Sequence, residues 1–539
     1  MIPEKLIAEV KSWIAEDPDP KTRSQLQEWL DQGKSDEIAG CFQGFLEFGT
    51  AGLRGALGPG PSRMNRAVVS KTAYGLGSFM KKRGLGSIVI GRDARYGSED
   101  FTTDTAEIMS GFGFTVYVLP RPLPTPVLAY AVRKLKCDVG VMVTASHNPP
   151  QDNGYKVYLG GLVDEIEYFG SQIISPTDSK ISWEIKNAPN LNQVARDKKW
   201  QIVSEEIIND YIATTAQLIN TPTEINIVYT PLHGVGKETI VKVFASAGLK
   251  LHLVQEQAEP DPDFPTVAFP NPEEPGAIDK SLELAEKLSA DLVIANDPDA
   301  DRCAIAINDG NWRMLRGDEV GAILGEYLAT KLNGKLVFAN SIVSSSILGK
   351  IAAAHQIEFH ETLTGFKYLS KVPGLRFGYE EALGYAVDPK SVNDKDGISA
   401  ALVLAEIAAV RKKAGSSIAE MLDEIWKKYG FHGTRQLSIR TNRIEEIASV
   451  MKKLRTNLPD RIGDFTVSKI DDLASPSDGL PPTDGIRIWL DGKYRVIVRP
   501  SGTEAKLKCY IEVIAADARA AQPIIDQIEL EFRSLLKVA

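Results

Sequence analysis

Strand and helix patterns that alternate three times, followed by a tail of different grammar, predict an α/β protein. The expected fold has three α/β domains with mixed, largely parallel sheets and a smaller C-terminal α+β domain around one central cleft. Three observations carry this. At 539 residues the chain exceeds what one hydrophobic core supports. Short connections join the alternating elements, as in βαβ units. Two loops rich in chemistry, 144–150 and 297–302, each follow the end of an apolar strand, where ligands gather in such units.

The elements run as follows. Glu4, Lys5, Glu9 and Lys11 between apolar residues mark an amphipathic helix, so 1–40 reads as a helical extension and not a signal peptide. In the first repeat, 88–91 is a strand, Ser98 caps a helix ending near Gly111, 115–119 is a strand and 126–135 a helix. A third strand, 139–144, runs into Ser146. The second repeat has a strand at 225–229, a helix at 236–247 stopped by Gly248, a strand at 249–254 and a helix at 279–288. Its last strand, 291–295, leads into Asp297. The third reads strand 335–339, helix 345–354, strand 357–361, and then Thr364-Gly365-Phe366-Lys367. In the tail, 435–440, 485–490 and 494–498 alternate as half-buried strands. A helix carries Ile444, Ile447, Val450 and Met451, the segment 474–483 is a surface loop, and a terminal helix covers 516–538. The domain boundaries expected are 1–210, 211–323, 324–430 and 431–539.

Composition narrows the function. Lys+Arg 62 against Asp+Glu 71 gives a net charge of −9, which disfavours a nucleic-acid or membrane surface while allowing a locally basic pocket for an anionic substrate. Cys41, Cys137, Cys303 and Cys509 are scattered, form no CxxC pair and read as reduced thiols. No apolar run approaches the length of a membrane span, and a cytoplasmic location is expected.

The chemistry sits in four places. In Thr144-Ala145-Ser146-His147-Asn148-Pro149-Pro150 a hydroxyl is presented on a turn directly after an apolar strand, a good covalent acceptor if activated. A serine in a turn usually only bonds its own backbone, but the length of this motif favours the functional reading. His147 is a general base or a hydrogen-bonder of the turn, the structural role being favoured. Asp297-Pro298-Asp299-Ala300-Asp301-Arg302 offers three carboxylates at alternate positions, suited to a hard divalent ion, Mg²⁺ being expected. The spacing is not that of an EF-hand, and three oxygens from one short loop leave coordination positions open. Arg499-Pro500-Ser501-Gly502-Thr503-Glu504 joins a guanidinium, two hydroxyls and turn N–H groups in a phosphate nest. Thr50 to Gly55, with Arg54, and Gly91 to Arg95 are further basic loops, in which Arg92 and Arg95 are individually weak signals. Lys156 stands ten residues past Ser146; in a cationic pocket it would lose its proton more easily and act as acid or base. Gly234-Val235-Gly236-Lys237-Glu238 lacks the first Gly and the Ser/Thr of a P-loop, and no GxGxxG follows a strand, so ATP and NAD are not indicated.

Together these motifs resemble, in order and over nearly the whole chain, those of the α-D-phosphohexomutase superfamily. TASHNPP resembles its phosphoserine loop, DPDADR its Mg²⁺ loop, Glu380-Glu381-Ala382-Leu383-Gly384 its sugar loop and RPSGTE its phosphate loop. The resemblance implies a mutase that interconverts hexose 1-phosphate and hexose 6-phosphate, with α-D-glucose phosphates the expected substrates. It implies a phosphorylated Ser146, Mg²⁺ held by Ser146, Asp297, Asp299 and Asp301, and a sugar 1,6-bisphosphate as intermediate and activator. Arg54, Lys156 and Lys395 are implied in charge stabilisation and proton transfer. Arg302, Lys367, Glu380, Arg499, Ser501, Gly502 and Thr503 are implied in binding substrate. Small sugar phosphates are the expected partners of a monomer or dimer.

One departure bears on the substrate. Ala382 stands where the common sugar loop has Ser, and EEALG with Tyr229 to Gly236 upstream is closer to the branch with phosphoglucomutase-2 and phosphopentomutases. Phosphomannomutase or phosphopentomutase activity on the same scaffold is therefore the alternative. A non-catalytic sugar-phosphate-binding protein is disfavoured by the intact serine and aspartates, and a phosphatase by the lack of a dedicated base for water. If Arg499 grips phosphate, Arg499→Ala raises KM for the sugar phosphate roughly 10- to 100-fold with a smaller effect on kcat. Steady-state kinetics check this, and an unchanged KM would remove the phosphate contact.

Overall fold

The structure, a computed structural model, describes residues 2–46, 52–220, 224–440, 444–477, 479–500 and 506–536. It divides into two compact units, Met1–Leu315 with Gly384–Lys413, and Arg316–Leu383 with Ala414–Ala539.

Among the described residues the first unit holds the two-stranded pair Leu162–Val163 with Ile166–Glu167 and two larger sheets. In one, the order is Leu53–Ala56, Asp152–Leu159, Val139–Val143, Ser87–Arg92, Thr115–Val118 and Trp200–Ile202. The last four run parallel, and Asp152–Leu159 and Leu53–Ala56 close one edge antiparallel. Val139–Val143 is buried at every position, so its continuous apolar run reads as a strand covered on both faces. Helices Arg66–Lys82 and Ser98–Gly111 contribute Val69, Leu76, Phe79, Phe101 and Ile108 to the same core. The three N-terminal helices, Glu4–Glu16, Pro20–Asp31 and Ser35–Cys41, pack Val10, Trp13, Leu26 and Ile38 into a small cluster with Ala67 and Val68 of helix Arg66–Lys82 and with Leu191.

The second sheet has the order Leu251–Leu253, Ile227–Thr230, Leu292–Ala295, Ala304–Asn308 and Trp312–Met314. The first three strands are parallel, and the last two are antiparallel additions. Helix Gly397–Lys413 belongs to this unit, packing on Leu292–Ala295 and on helices Glu205–Ala216 and Gly236–Ser246. It is buried without interruption from Gly397 to Ala409, Ser399 and Glu406 included, a burial on all sides that an amphipathic reading does not anticipate.

In the second unit, Val337–Ser341 lies parallel between Glu358–Thr362 and Phe377–Glu380. The tail forms a six-stranded antiparallel sheet, Phe431–Arg440, Lys506–Ala515, Tyr494–Pro500, Ile486–Leu490, Phe465–Asp472 and Arg461–Ile462. Helices Ile444–Thr456 and Ala518–Leu535 accompany it, the second burying Ile525, Ile528 and Phe532 against the sheet. Glu512 ties the two parts of this unit. It accepts hydrogen bonds from Ser345 Oγ (2.7 Å) and the Ser346 N–H (2.7 Å), and pairs with Arg495 at 2.8 Å. Burial opposes its ionisation, but Arg495 and His432 outweigh that and hold its carboxyl well below the usual range.

The α/β grammar therefore holds, with two differences. Ser98 is the first residue of its helix and not the cap: Gly97, at φ 77°, takes the cap, and Ser98 Oγ donates to Asp93 at 2.8 Å. Each larger sheet of the first unit also carries antiparallel strands at its edge, and the first of these, Asp152–Leu159, includes Lys156. The four cysteines are free and buried, and no helix among the described residues is long and apolar enough to cross a membrane.

Candidate active site

Hairpin geometry brings the first residues together. Val139–Val143 leads into Ser146, the chain reverses, and Asp152–Leu159 returns antiparallel with Lys156 opposite Met142. Leu53–Ala56 pairs on its far side with Arg54 opposite Gly154. The tight reversal needs Gly154, since a Cβ there would stand 2.5 Å from the Thr144 carbonyl oxygen and 2.8 Å from that of Leu53. Ser146 adopts φ 53°, in the left-handed region, and its N–H donates to Thr144 Oγ1 at 2.9 Å. A non-glycine residue held there marks strain that the surroundings must maintain.

The carboxylates come from the neighbouring sheet, on the turn between Leu292–Ala295 and Ala304–Asn308. Pro298 in that turn accepts the Val235 N–H at 2.8 Å and touches Gly234, where a Cβ would come within 2.3 Å of its Cα. The glycine-rich segment that fails as a P-loop thus supports the acidic turn. Asp297, Asp299 and Asp301 are buried, each offering an oxygen within 4.8 Å of the others.

Ser146 Oγ donates to Asp297 Oδ2 at 2.7 Å and lies 3.2 Å from His147 Nδ1. Lys156 Nζ donates to Asp299 Oδ2 (2.7 Å) and Asp301 Oδ2 (2.8 Å), and Lys395 Nζ is 3.3 Å from Asp301. The turn Asp394-Lys395-Asp396 is anchored by Tyr158, whose hydroxyl donates to Asp394, and Tyr211, whose hydroxyl donates to Asp396. Gly384 leaves room for the Lys395 stem, which a Cβ would meet at 2.4 Å. The Arg302 N–H caps Asp297 Oδ1 at 3.0 Å, and Arg54 Nη1 donates to Asn148 at 3.0 Å.

Charge follows from this arrangement. Burial, reinforced by Asp299 and Asp301, pushes the Asp297 carboxyl well above its usual range. Burial acts the same way on Asp301, but Lys156, Lys395 and Arg302 overcome it and hold that carboxyl well below. Burial and the Arg302 and Arg54 guanidinium groups pull His147 well below the ordinary imidazole value, so it stands neutral beside Ser146 Oγ. Lys156 departs from the sequence expectation of an easily lost proton. Burial does disfavour its ammonium form, yet Asp299 and Asp301 more than offset this and raise its pKa.

The triad fits a hard divalent cation. Asp299 Oδ1 and Asp301 Oδ1 are buried acceptors with no hydrogen-bond partner among the described residues, and the raised Asp297 carboxyl is consistent with excess negative charge at the same point.

Of the remaining residues singled out in the sequence, Lys367 is buried on the short helix Phe366–Leu369, in the second unit. Glu380 ends the strand Phe377–Glu380 and accepts the Gly365 N–H at 2.7 Å. Arg499 lies on Tyr494–Pro500, opposite Lys508. Ser501, Gly502 and Thr503 lie outside the described residues. Two site residues carried no clear signal in the sequence. Thr125 donates to Asp299 Oδ2 at 2.6 Å, and nothing in Pro124-Thr125-Pro126 foretells that contact. Arg95, read as a weak phosphate ligand, is buried and points at backbone carbonyls, while Arg92 pairs with Glu99.

A hydroxyl, a buried carboxylate triad and two lysines are parts that phosphoryl transfer can use, and the class of protein follows from the rest of the chain. Residues 46–188, 209–310 and 316–429 match the phosphoglucomutase/phosphomannomutase alpha/beta/alpha domains I, II and III, and 440–529 the C-terminal domain. The chain belongs to the phosphoglucomutase/phosphomannomutase family and is a mutase, an intramolecular phosphotransferase acting on sugar phosphates. It is 45% identical over 483 residues to a protein of Haemophilus influenzae named a probable phosphomannomutase, covering 88% of this chain and 98% of that one. It is 35% identical to human phosphopentomutase, covering 95% and 92%, and 34% identical to a phosphoglucomutase of Staphylococcus haemolyticus, covering 87% and 91%. The fold is shared with a family protein of Burkholderia thailandensis (TM-score 0.70, 19% identity, 91% and 96% covered). It is shared as well with the phosphoglucomutase parafusin of Paramecium (TM-score 0.71, 19% identity, 92% and 96% covered).

Because two of the triad's oxygens have no partner among the described residues, Asp299→Asn is expected to weaken binding of Mg²⁺ or Mn²⁺ at least about tenfold. Calorimetric titration checks this, and unchanged affinity would place the ion elsewhere.

Proposed function

We propose that the enzyme interconverts hexose 1-phosphate and hexose 6-phosphate, with α-D-glucose phosphates preferred, through a phosphorylated Ser146 and a sugar 1,6-bisphosphate intermediate. The observation that carries this reading is Ser146 Oγ, held in a left-handed turn 2.7 Å from Asp297 and beside the buried triad. Phospho-Ser146 gives its phosphoryl group to the free 6-hydroxyl of the sugar: the Ser146 Oγ–P bond breaks as the P–O6 bond forms, and the hydroxyl proton leaves to a base. The bisphosphate then reorients, and its 1-phosphoryl group returns to Ser146. When bound at Asp297, Asp299 and Asp301, Mg²⁺ would offset charge on the phosphoryl oxygens.

The protein's own groups do the rest. Lys156 and Lys395 place ammonium charge beside the serine's carboxylate neighbours, ready to accompany an anionic group in transfer. His147 Nδ1 lies 3.2 Å from Oγ, and burial with the Arg302 and Arg54 guanidinium groups disfavours its protonation, which suits it to orienting the serine within its turn and not to taking up a proton. The turn around Ser146 fixes the nucleophile's direction, and positioning of this kind supplies much of the rate gain when little bond-making help is needed. Roles for Arg54 in charge stabilisation, and for Arg302, Lys367, Glu380, Arg499, Ser501, Gly502 and Thr503 in binding substrate, rest on the motifs in which they stand.

A second reading on the same site, phosphomannomutase or phosphopentomutase activity, is favoured by Ala382 and by relatives that bear those names. A panel of glucose 1-phosphate, mannose 1-phosphate and ribose 1-phosphate, with Mg²⁺ and catalytic glucose 1,6-bisphosphate, separates them. The highest kcat/KM is expected for glucose 1-phosphate; a preference for ribose 1-phosphate would transfer the assignment to the pentose. Under the same conditions Ser146→Ala is expected to lose turnover by at least about a thousandfold. Near-normal turnover in that variant would remove Ser146 from the covalent role.

A further inference from the structure

We infer that Arg95 is a positioning residue that sets the pose of Ser146 by clamping the backbone of its loop, and that Phe264 holds the clamp in place. The inference rests on the mutase reading above. The guanidinium reaches four carbonyls of one loop. Nη2 donates to Ser146 O and Asn148 O, both at 2.6 Å, and Nη1 to Pro149 O (2.8 Å) and Asp152 O (3.2 Å). Every one of these acceptors lies between the nucleophile and the start of the strand that carries Lys156.

The clamp is itself fixed from two sides. Its side chain is 1% exposed and pairs through Nε with Asp93 Oδ2 at 3.3 Å. Asp93 is fastened in turn: its other oxygen accepts the Arg95 N–H (3.0 Å) and Ser98 Oγ (2.8 Å), and its N–H donates to Val143 O, on the strand that feeds Ser146. The ring of Phe264 lies against the guanidinium, 4.9 Å from Cζ to centroid. Phe264 is buried, sits at φ 48° and comes from the proline-rich loop after Gln255–Gln257, which also carries Asp261. The Asp261 N–H donates to His233 O (3.0 Å), in the segment whose Val235 N–H holds Pro298 of the acidic turn. Arg95 thus sets the register of the serine loop against the turn that bears Asp297, Asp299 and Asp301.

Two physical reasons make this a role for arginine. A left-handed serine is strained, so its pose persists only where surrounding contacts over-determine it. Four carbonyls converging in a buried space also need several donors in a fixed plane, which a guanidinium supplies and a lysine ammonium does not. A shift of the nucleophile by about an ångström can cost on the order of a hundredfold in rate. Since Arg95 has no place in the proposed substrate contacts, its loss should spare KM.

The test uses the full-length enzyme with Mg²⁺ and glucose 1,6-bisphosphate. If the wild-type protein turns over none of the panel sugars, the mutase reading itself fails, which is distinct from failure of this inference. With an active wild type, Arg95→Lys that retains a cooperative thermal transition is expected to lower kcat about 30- to 100-fold with KM within about twofold. The single-turnover rate of phosphoryl transfer from Ser146 to glucose 1-phosphate should fall in parallel. Wild-type kcat in folded Arg95→Lys, or a change confined to KM, would overturn the inference. Should Arg95→Lys fail to fold, Phe264→Leu decides: a fall in kcat of about threefold or more at unchanged KM supports the clamp, and wild-type kcat refutes it.

Discussion

Burial of three aspartates within a few ångströms of one another is the constraint on which the rest of this site depends. Three carboxylates so placed cannot all ionise without compensation, because desolvation and mutual repulsion both favour the neutral acid. The protein resolves this unequally. Asp301 faces Lys156, Lys395 and Arg302 and is held ionised, while Asp297, which faces Ser146, is pushed toward its protonated form. The result is a site in want of further positive charge on the side where the hydroxyl stands, and removing one partner of so buried a set typically costs roughly 3–5 kcal/mol.

The scaffold supplies that arrangement by the ends of sheets. Strand Val139–Val143 delivers Ser146, its antiparallel neighbour returns with Lys156, and the strand beyond brings Arg54. On the neighbouring sheet, Leu292–Ala295 delivers the aspartates. Helix Gly397–Lys413 packs beside that strand, and the turn just before it carries Lys395, anchored through Tyr158 and Tyr211. Small residues matter here as much as charged ones: Gly154, Gly234 and Gly384 allow approaches that any side chain would block.

Much of this was legible in the sequence where physics acts locally. Apolar strands that end in chemistry, a helix stopped by Gly248 and the alternate spacing of Asp297, Asp299 and Asp301 all depend on neighbours in the chain. The helix at 279–288 even has the bounds observed, Asp279–Leu288. What stayed hidden depends on residues far apart. Lys156 was expected to shed its proton readily because nearby cations were visible and its two carboxylate partners, more than 140 residues away, were not. Arg95 was weak as a phosphate ligand because its acceptors are backbone carbonyls, which leave no mark in a sequence. The antiparallel strand Asp152–Leu159 was missed because it is buried at nearly every position, which erases the alternation that betrays a half-exposed strand.

In the proposed reaction one side-chain oxygen, Ser146 Oγ, carries the phosphoryl group between the two halves. The most direct measurement of this transfer is mass spectrometry of the peptide containing Ser146 after incubation of the protein with glucose 1,6-bisphosphate. One added phosphoryl group is expected, located on Ser146 and discharged by glucose 1-phosphate. An active enzyme whose Ser146 peptide stays unmodified, or whose phosphate sits on another residue, would contradict it.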